Sequence, residues 1–116
     1  MKRVYVAGPY SADNVLDVLR NIGRGEKMCA LLFKLGFAPF CPWHDKNYVW
    51  DNPECDFTVE QFYNYSMKWL EVSDAVFLMQ GWQESEGSCE EMKRAHELDI
   101  PVFETLTELI AWGNKS

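Results

Sequence analysis

At 116 residues, 47% apolar and 25% charged, the chain is long enough for one packed core and too short for two. Its formal charge of −7 argues against a DNA or RNA polymer and against an anionic membrane, although local donors can still hold a small anion. Five Trp within a 15% aromatic content point to an aromatic core or to rings exposed at a pocket or interface.

Arg3 to Gly8 (RVYVAG) reads as a buried strand stopped by Gly-Pro. Val15, Leu19, Ile22, Met28, Leu31, Leu32 and Leu35 then recur at helical spacing, which predicts a helix over 12–35. Gly23 and Gly25 predict a bend or close packing in its middle, and Gly36 a C-terminal stop. Phe37 to Cys41 is a second short strand. Residues 42–57 are the least regular part, a long connection of the kind used as a lid or binding loop. Thr58-x-x-Gln61 opens a helix to Val72, and Asp74 to Met79 is the third strand, with Asp74 as its turn residue. A helix over about Ser88–Leu98, a strand at Ile100–Phe103 and a helix capped by Thr105-x-x-Glu108 and ending near Gly113 complete the chain.

This strand–helix alternation predicts a single α/β domain over residues 1–116: a flavodoxin/Rossmann-like three-layer sandwich. Its parallel sheet has about four strands, expected in the order 2-1-3-4. So small a sheet leaves an edge or face that a second subunit can complete. Cys29, Cys41, Cys55 and Cys89 show no C-x-x-C spacing, and with only two His no zinc signature is present. Dispersed thiols, and an apolar run from Val4 to Ala7 too short for a signal peptide or membrane span, fit a cytoplasmic protein.

Two strand-to-helix loops could carry chemistry, because ligands of open α/β sheets bind at the carboxyl ends of strands. The first, Gly8-Pro9-Tyr10-Ser11, lacks the dinucleotide and P-loop fingerprints, so no nucleotide cofactor is implied. The second, Gly81 to Cys89, places Ser85, Gly87 and Ser88 before a helix, a good anion-binding arrangement. Glu91 is then expected in the first helical turn, held ionised by the helix dipole. Ser88-x-x-Glu91 is equally a capping box, and spacing alone leaves Glu91 open as either cap or nucleophile. Trp43, His44, Tyr48 and Trp50 could stack and bond a nucleobase, or form a flap on the sheet or an oligomer contact.

Taken together, VYVAGPYS at residues 4–11, Ser73-Asp74-Ala75-Val76, Gly81-Trp82-x-x-Ser85-x-Gly87-x-x-x-Glu91-x-x-x-Ala95 and Ile100-Pro101-Val102 resemble the nucleoside 2-deoxyribosyltransferase superfamily. The resemblance covers nearly the whole chain and includes nucleotide N-glycosidases and small uncharacterised domains, the last being nearest. It implies that Glu91 attacks C1′ of the sugar and releases the base, with Tyr5 bonded to that glutamate. Gly8, Pro9, Ser11, Ser85, Gly87 and Ser88 would surround sugar or 5′-phosphate. The substrate would be a nucleoside or nucleoside 5′-monophosphate, with no metal or cofactor, in a homo-oligomer. Where the family usually carries a second catalytic aspartate, this chain has Ser66. A serine is no general acid. Asp45, Asp56 and Glu71 are the nearby acids that could replace it, and the alternative is a nucleotide-binding module without turnover.

Overall fold

The chain is described by a computed structural model over residues 1–115. Strands β1 (Arg3–Ala7), β2 (Ala38–Phe40), β3 (Ala75–Leu78) and β4 (Val102–Phe103) form one parallel sheet in the order β2-β1-β3-β4. Tyr5 stands opposite Phe40 on one side and Val76 on the other, which fixes the register of the sheet centre. The helices are α1 (Val15–Lys34), α2 (Lys46–Asp51), α3 (Val59–Leu70), α4 (Glu86–Glu97) and α5 (Leu106–Gly113).

Two-residue alternation along the strands divides the core into two layers. Val4, Val6, Ala75 and Phe77 face α1 and α5, packing with Ile22, Leu32 and Leu109. Tyr5, Ala7, Val76 and Leu78 face the opposite way, toward Leu70 of α3 and Ala95 of α4. The result is the expected three-layer sandwich. Local chemistry sets the ends of its elements. Asn14 caps α1 through Asp17 N–H, Thr58 and Gln61 form a reciprocal capping box on α3, and Thr105 caps α5. Gly36, at φ +98°, ends α1 in the left-handed conformation that glycine adopts without cost. Asp74 accepts from Arg3 N–H at 2.7 Å and ties the entry of β3 to the start of β1.

Two parts of the chain depart from expectation. Residues 42–57 are more regular than their composition suggests: Pro42–Asp45 is a 3-10 turn that runs into α2. The cause is Trp43, 1% exposed, whose ring lies on the bare backbone of Gly25. A Cβ at Gly25 would come within 2.2 Å of that ring, so close packing explains Gly25, whereas Gly23 faces open space. The second departure is α4, which starts at Glu86 and is capped by Ser85, whose hydroxyl accepts from Ser88 N–H at 3.2 Å.

Candidate active site

The carboxyl end of β1, one side of α3 and the N-terminus of α4 enclose a cavity of about 750 Å³. Tyr5 is fully buried in β1, and strand alternation directs its side chain beneath α4. There its hydroxyl donates to Oε2 of Glu91. Because α4 begins at Glu86, Glu91 lies in the second turn, and the Ser88–Glu91 capping box is not formed. Ser85 takes the cap instead, which leaves Glu91 free to face the cavity.

This placement reverses the electrostatics expected from sequence. A dipole effect confined to the first turn does little for a second-turn side chain. Burial dominates and pushes the Glu91 carboxyl up to about 7, while the bond from Tyr5 pulls the other way. Tyr5 is itself raised well above the ordinary phenol value, first by burial and then by the charge of Glu91. It therefore remains a proton-bearing donor throughout the neutral range.

Among the described residues five further carboxyls line the same cavity, and a tyrosine hydroxyl anchors one of them, Asp45. Asp45, at the end of the 3-10 turn, accepts from the Tyr10 hydroxyl at 2.8 Å. Burial raises its pKa above the usual carboxylate value, opposed by the Tyr10 bond and the charge of Lys46. Ser66, on α3 and 9% exposed, also lines the cavity and supplies a hydroxyl to Tyr5. Of the acids considered as replacements for the missing aspartate, Asp45 reaches the cavity. Glu71 instead bonds Arg94 at 3.1 Å, outside it, and Asp56 is absent from the lining. Sequence spacing could not have found this, because Asp45 and Glu91 are 46 positions apart and meet through the fold alone.

The remaining candidates divide. Gly8, Ser11, Ser85, Gly87 and Ser88 all line the cavity, and Pro9 lines an adjoining cleft. Gly87 has open space where a Cβ would stand, whereas at Gly8 a Cβ would meet Met79 at 3.1 Å and Trp43 at 3.3 Å. Gly8 therefore answers to packing. Ser88 Oγ is buried with no hydrogen-bond partner among the described residues. The aromatic lid does not assemble. Trp43 contributes to the cavity wall but is a core residue, its indole N–H held by Pro9 C=O at 3.1 Å. His44 points away to Glu26 at 3.2 Å, and Trp50 is 82% exposed on α2. Tyr5, Phe40 and Trp69 form a stack at the β2 side of the sheet. Among the described residues no group of three or more His, Cys, Asp or Glu is placed to hold a metal, and no helix is long and apolar enough to cross a membrane.

A family model described as a domain of unknown function, DUF7768, matches residues 2–105. Among solved structures, the chain is similar to a 2-deoxyribosyltransferase from the psychrotolerant bacterium Bacillus psychrosaccharolyticus, with a TM-score of 0.59 and 19% identity over 86% of this chain and 69% of that one. At that identity the likeness establishes the shared Rossmann-like fold. No curated protein matches the chain.

Proposed function

This chain belongs to the DUF7768 family, and we propose that it cleaves or transfers the N-glycosidic bond of a nucleoside or nucleoside 5′-monophosphate, with Glu91 as nucleophile. The observation that carries the reading is the Tyr5–Glu91 hydrogen bond at the cavity lined by Asp45, Ser85 and Gly87. The similar fold of a 2-deoxyribosyltransferase supports it. In this reading the ionised Glu91 attacks C1′, the C–N bond breaks with its electron pair going to the base, and a glycosyl ester forms. Tyr5 fixes the carboxylate oxygen by donating to it. Asp45, raised above the usual carboxylate value by burial, is the carboxyl that in this reading hands a proton to the departing base and then, as carboxylate, takes one from the water or incoming base that opens the ester. Relocation of the acid from Ser66 to Asp45 accounts for the missing aspartate.

Incubation of the protein with a panel of ribo- and deoxyribonucleosides and their 5′-monophosphates tests the proposal by base release. The expected result is release from at least one compound, abolished in Glu91→Gln. No release from any of them, or equal release by the variant, would end it.

Ser66 also favours a second reading, a nucleotide-binding module without turnover. It requires ligand-dependent thermal stabilisation with no product. Assembly into a homo-oligomer is part of the proposal; Phe33, 67% exposed, and Trp50, 82% exposed, offer apolar surface for it. Light scattering in solution reads the outcome.

A further inference from the structure

Beside the Glu91 cavity lies a second, larger cleft of about 1300 Å³, and the two share Ser11, Glu84 and Ser85 as a common rim. Their charges are opposite in kind. The Glu91 cavity is lined by six carboxylates, Asp45, Glu60, Glu84, Glu86, Glu90 and Glu91, and by no Lys or Arg. The outer cleft carries Arg20, Arg24 and Lys27 along one face of α1, against Asp17 and Glu84. Arg20 is engaged by Asp17 at 3.2 Å. Arg24 bonds the neutral amide oxygen of Asn21 at 2.9 Å, and Lys27 has no acidic partner among the described residues. Two cations without an acidic hydrogen-bond partner, in a cleft whose three cations face two acids, stand out in a chain of net charge −7.

An anionic group entering the inner cavity would meet carboxylates, and one entering the outer cleft would meet cations. Length matters as well. Arg20 and Lys27 are seven residues apart, roughly 10 Å along the helix at about 1.5 Å per residue. A single phosphate at the Ser11–Ser85 rim stops short of that row, whereas each further phosphoryl group extends the anion toward it. We infer that the basic cleft is a subsite for the phosphoryl chain of a nucleoside 5′-diphosphate or longer polyphosphate, seated with its sugar beside Glu91 and its terminal phosphate between Arg24 and Lys27. The inference rests on the nucleotide reading of the Glu91 cavity and goes past it in naming the substrate class.

Calorimetric titration of the whole chain with inorganic phosphate, pyrophosphate and tripolyphosphate at fixed ionic strength tests the subsite without turnover. Pyrophosphate or tripolyphosphate is expected to bind at least tenfold more tightly than phosphate. Arg24→Gln/Lys27→Gln is expected to abolish that preference, and Glu91→Gln to retain it. Because both cations are exposed, the double variant should melt like the parent, and circular dichroism confirms that it is folded. Equal binding of the three anions, no binding at all, or a preference that survives the double variant would overturn the subsite. Base release keeps the two readings apart. A protein that cleaves monophosphates but shows no polyphosphate preference retains its glycosidase function and loses the subsite. One that binds pyrophosphate through Arg24 and Lys27 but releases no base retains the subsite and loses the glycosidase function.

Discussion

Substituting Glu91 by Gln should stabilise the protein, and only at high pH. Burial raises the Glu91 carboxyl from an ordinary 4.5 to about 7. A group whose folded-state pKa is raised contributes stability that is fully present below its unfolded value and is lost as pH rises through the folded one. The gap corresponds to roughly 3 kcal/mol at about 1.4 kcal/mol per pH unit, and the partial solvent access of Glu91 trims this to about 2 kcal/mol. Gln is neutral throughout and keeps an oxygen for the Tyr5 hydroxyl. Urea unfolding at pH 4 and pH 8.5 should therefore give nearly equal stabilities at the lower pH, and a variant more stable by about 2 kcal/mol at the higher. Titration of Asp45 and the other acids is common to both proteins and cancels in the difference. A gap that is the same at both pH values, or a wild type more stable at pH 8.5, would refute the argument that the fold holds an ionised Glu91 at a cost. The functional counterpart is a rate of base release that rises with pH through about 7, since the nucleophile must be ionised.

Tyr5→Phe removes the donor that opposes burial at Glu91. The rising limb of the pH–rate profile should move to higher pH, and urea unfolding should show a loss of about 1.5–3 kcal/mol that is larger at pH 8.5 than at pH 5.5. Gly25→Ala places a methyl group within 2.2 Å of the Trp43 ring and should destabilise by roughly 1–3 kcal/mol, with a shift in Trp fluorescence. Gly23→Ala, with nothing within 4 Å, should stabilise by about 0.5–1 kcal/mol; opposite signs in denaturant melts check the pair. Asp45→Asn should slow base release most for bases that need a proton to depart, and much less for a substrate with an acidic leaving group; equal slowing for both would remove Asp45 as the acid.

How much of this was legible in the sequence depends on the range of the interactions involved. Strand order and layering followed from four apolar runs separated by helical periodicity, because each element's own pattern states which face it buries. Thr58, Thr105 and Gly36 behaved as their local chemistry implied. The start of α4 did not, because Ser85 and Ser88 are both competent caps and local rules cannot rank them. The choice is made at long range, where Tyr5, 86 positions from Glu91, takes the carboxylate a capping box would have used. Residues 42–51 are more regular than their local signals for a similar reason. Their Pro, Asp and Asn signal turns, but the turn is pinned by a Trp43–Gly25 contact that no window of neighbouring residues contains. Trp43, His44 and Trp50 look like one aromatic cluster in sequence, yet the turn sends Trp43 into the core and His44 toward Glu26, while α2 carries Trp50 into solvent.

The same long-range logic bears on Ser66. In the two-carboxylate scheme the acid and the nucleophile need different environments, so that one keeps its proton at a pH where the other has lost it. An aspartate at position 66 would stand beside Tyr5, where a second negative charge would raise Glu91 further and leave less of the nucleophile ionised. A serine there contributes a hydroxyl to Tyr5 without charge. Asp45 reaches the cavity from the 3-10 turn, anchored by Tyr10 and eased by Lys46. With Glu91 already at about 7, the site can accommodate a second carboxyl there more readily than beside Tyr5. Ser66→Asp should consequently delay, not advance, the pH at which base release begins.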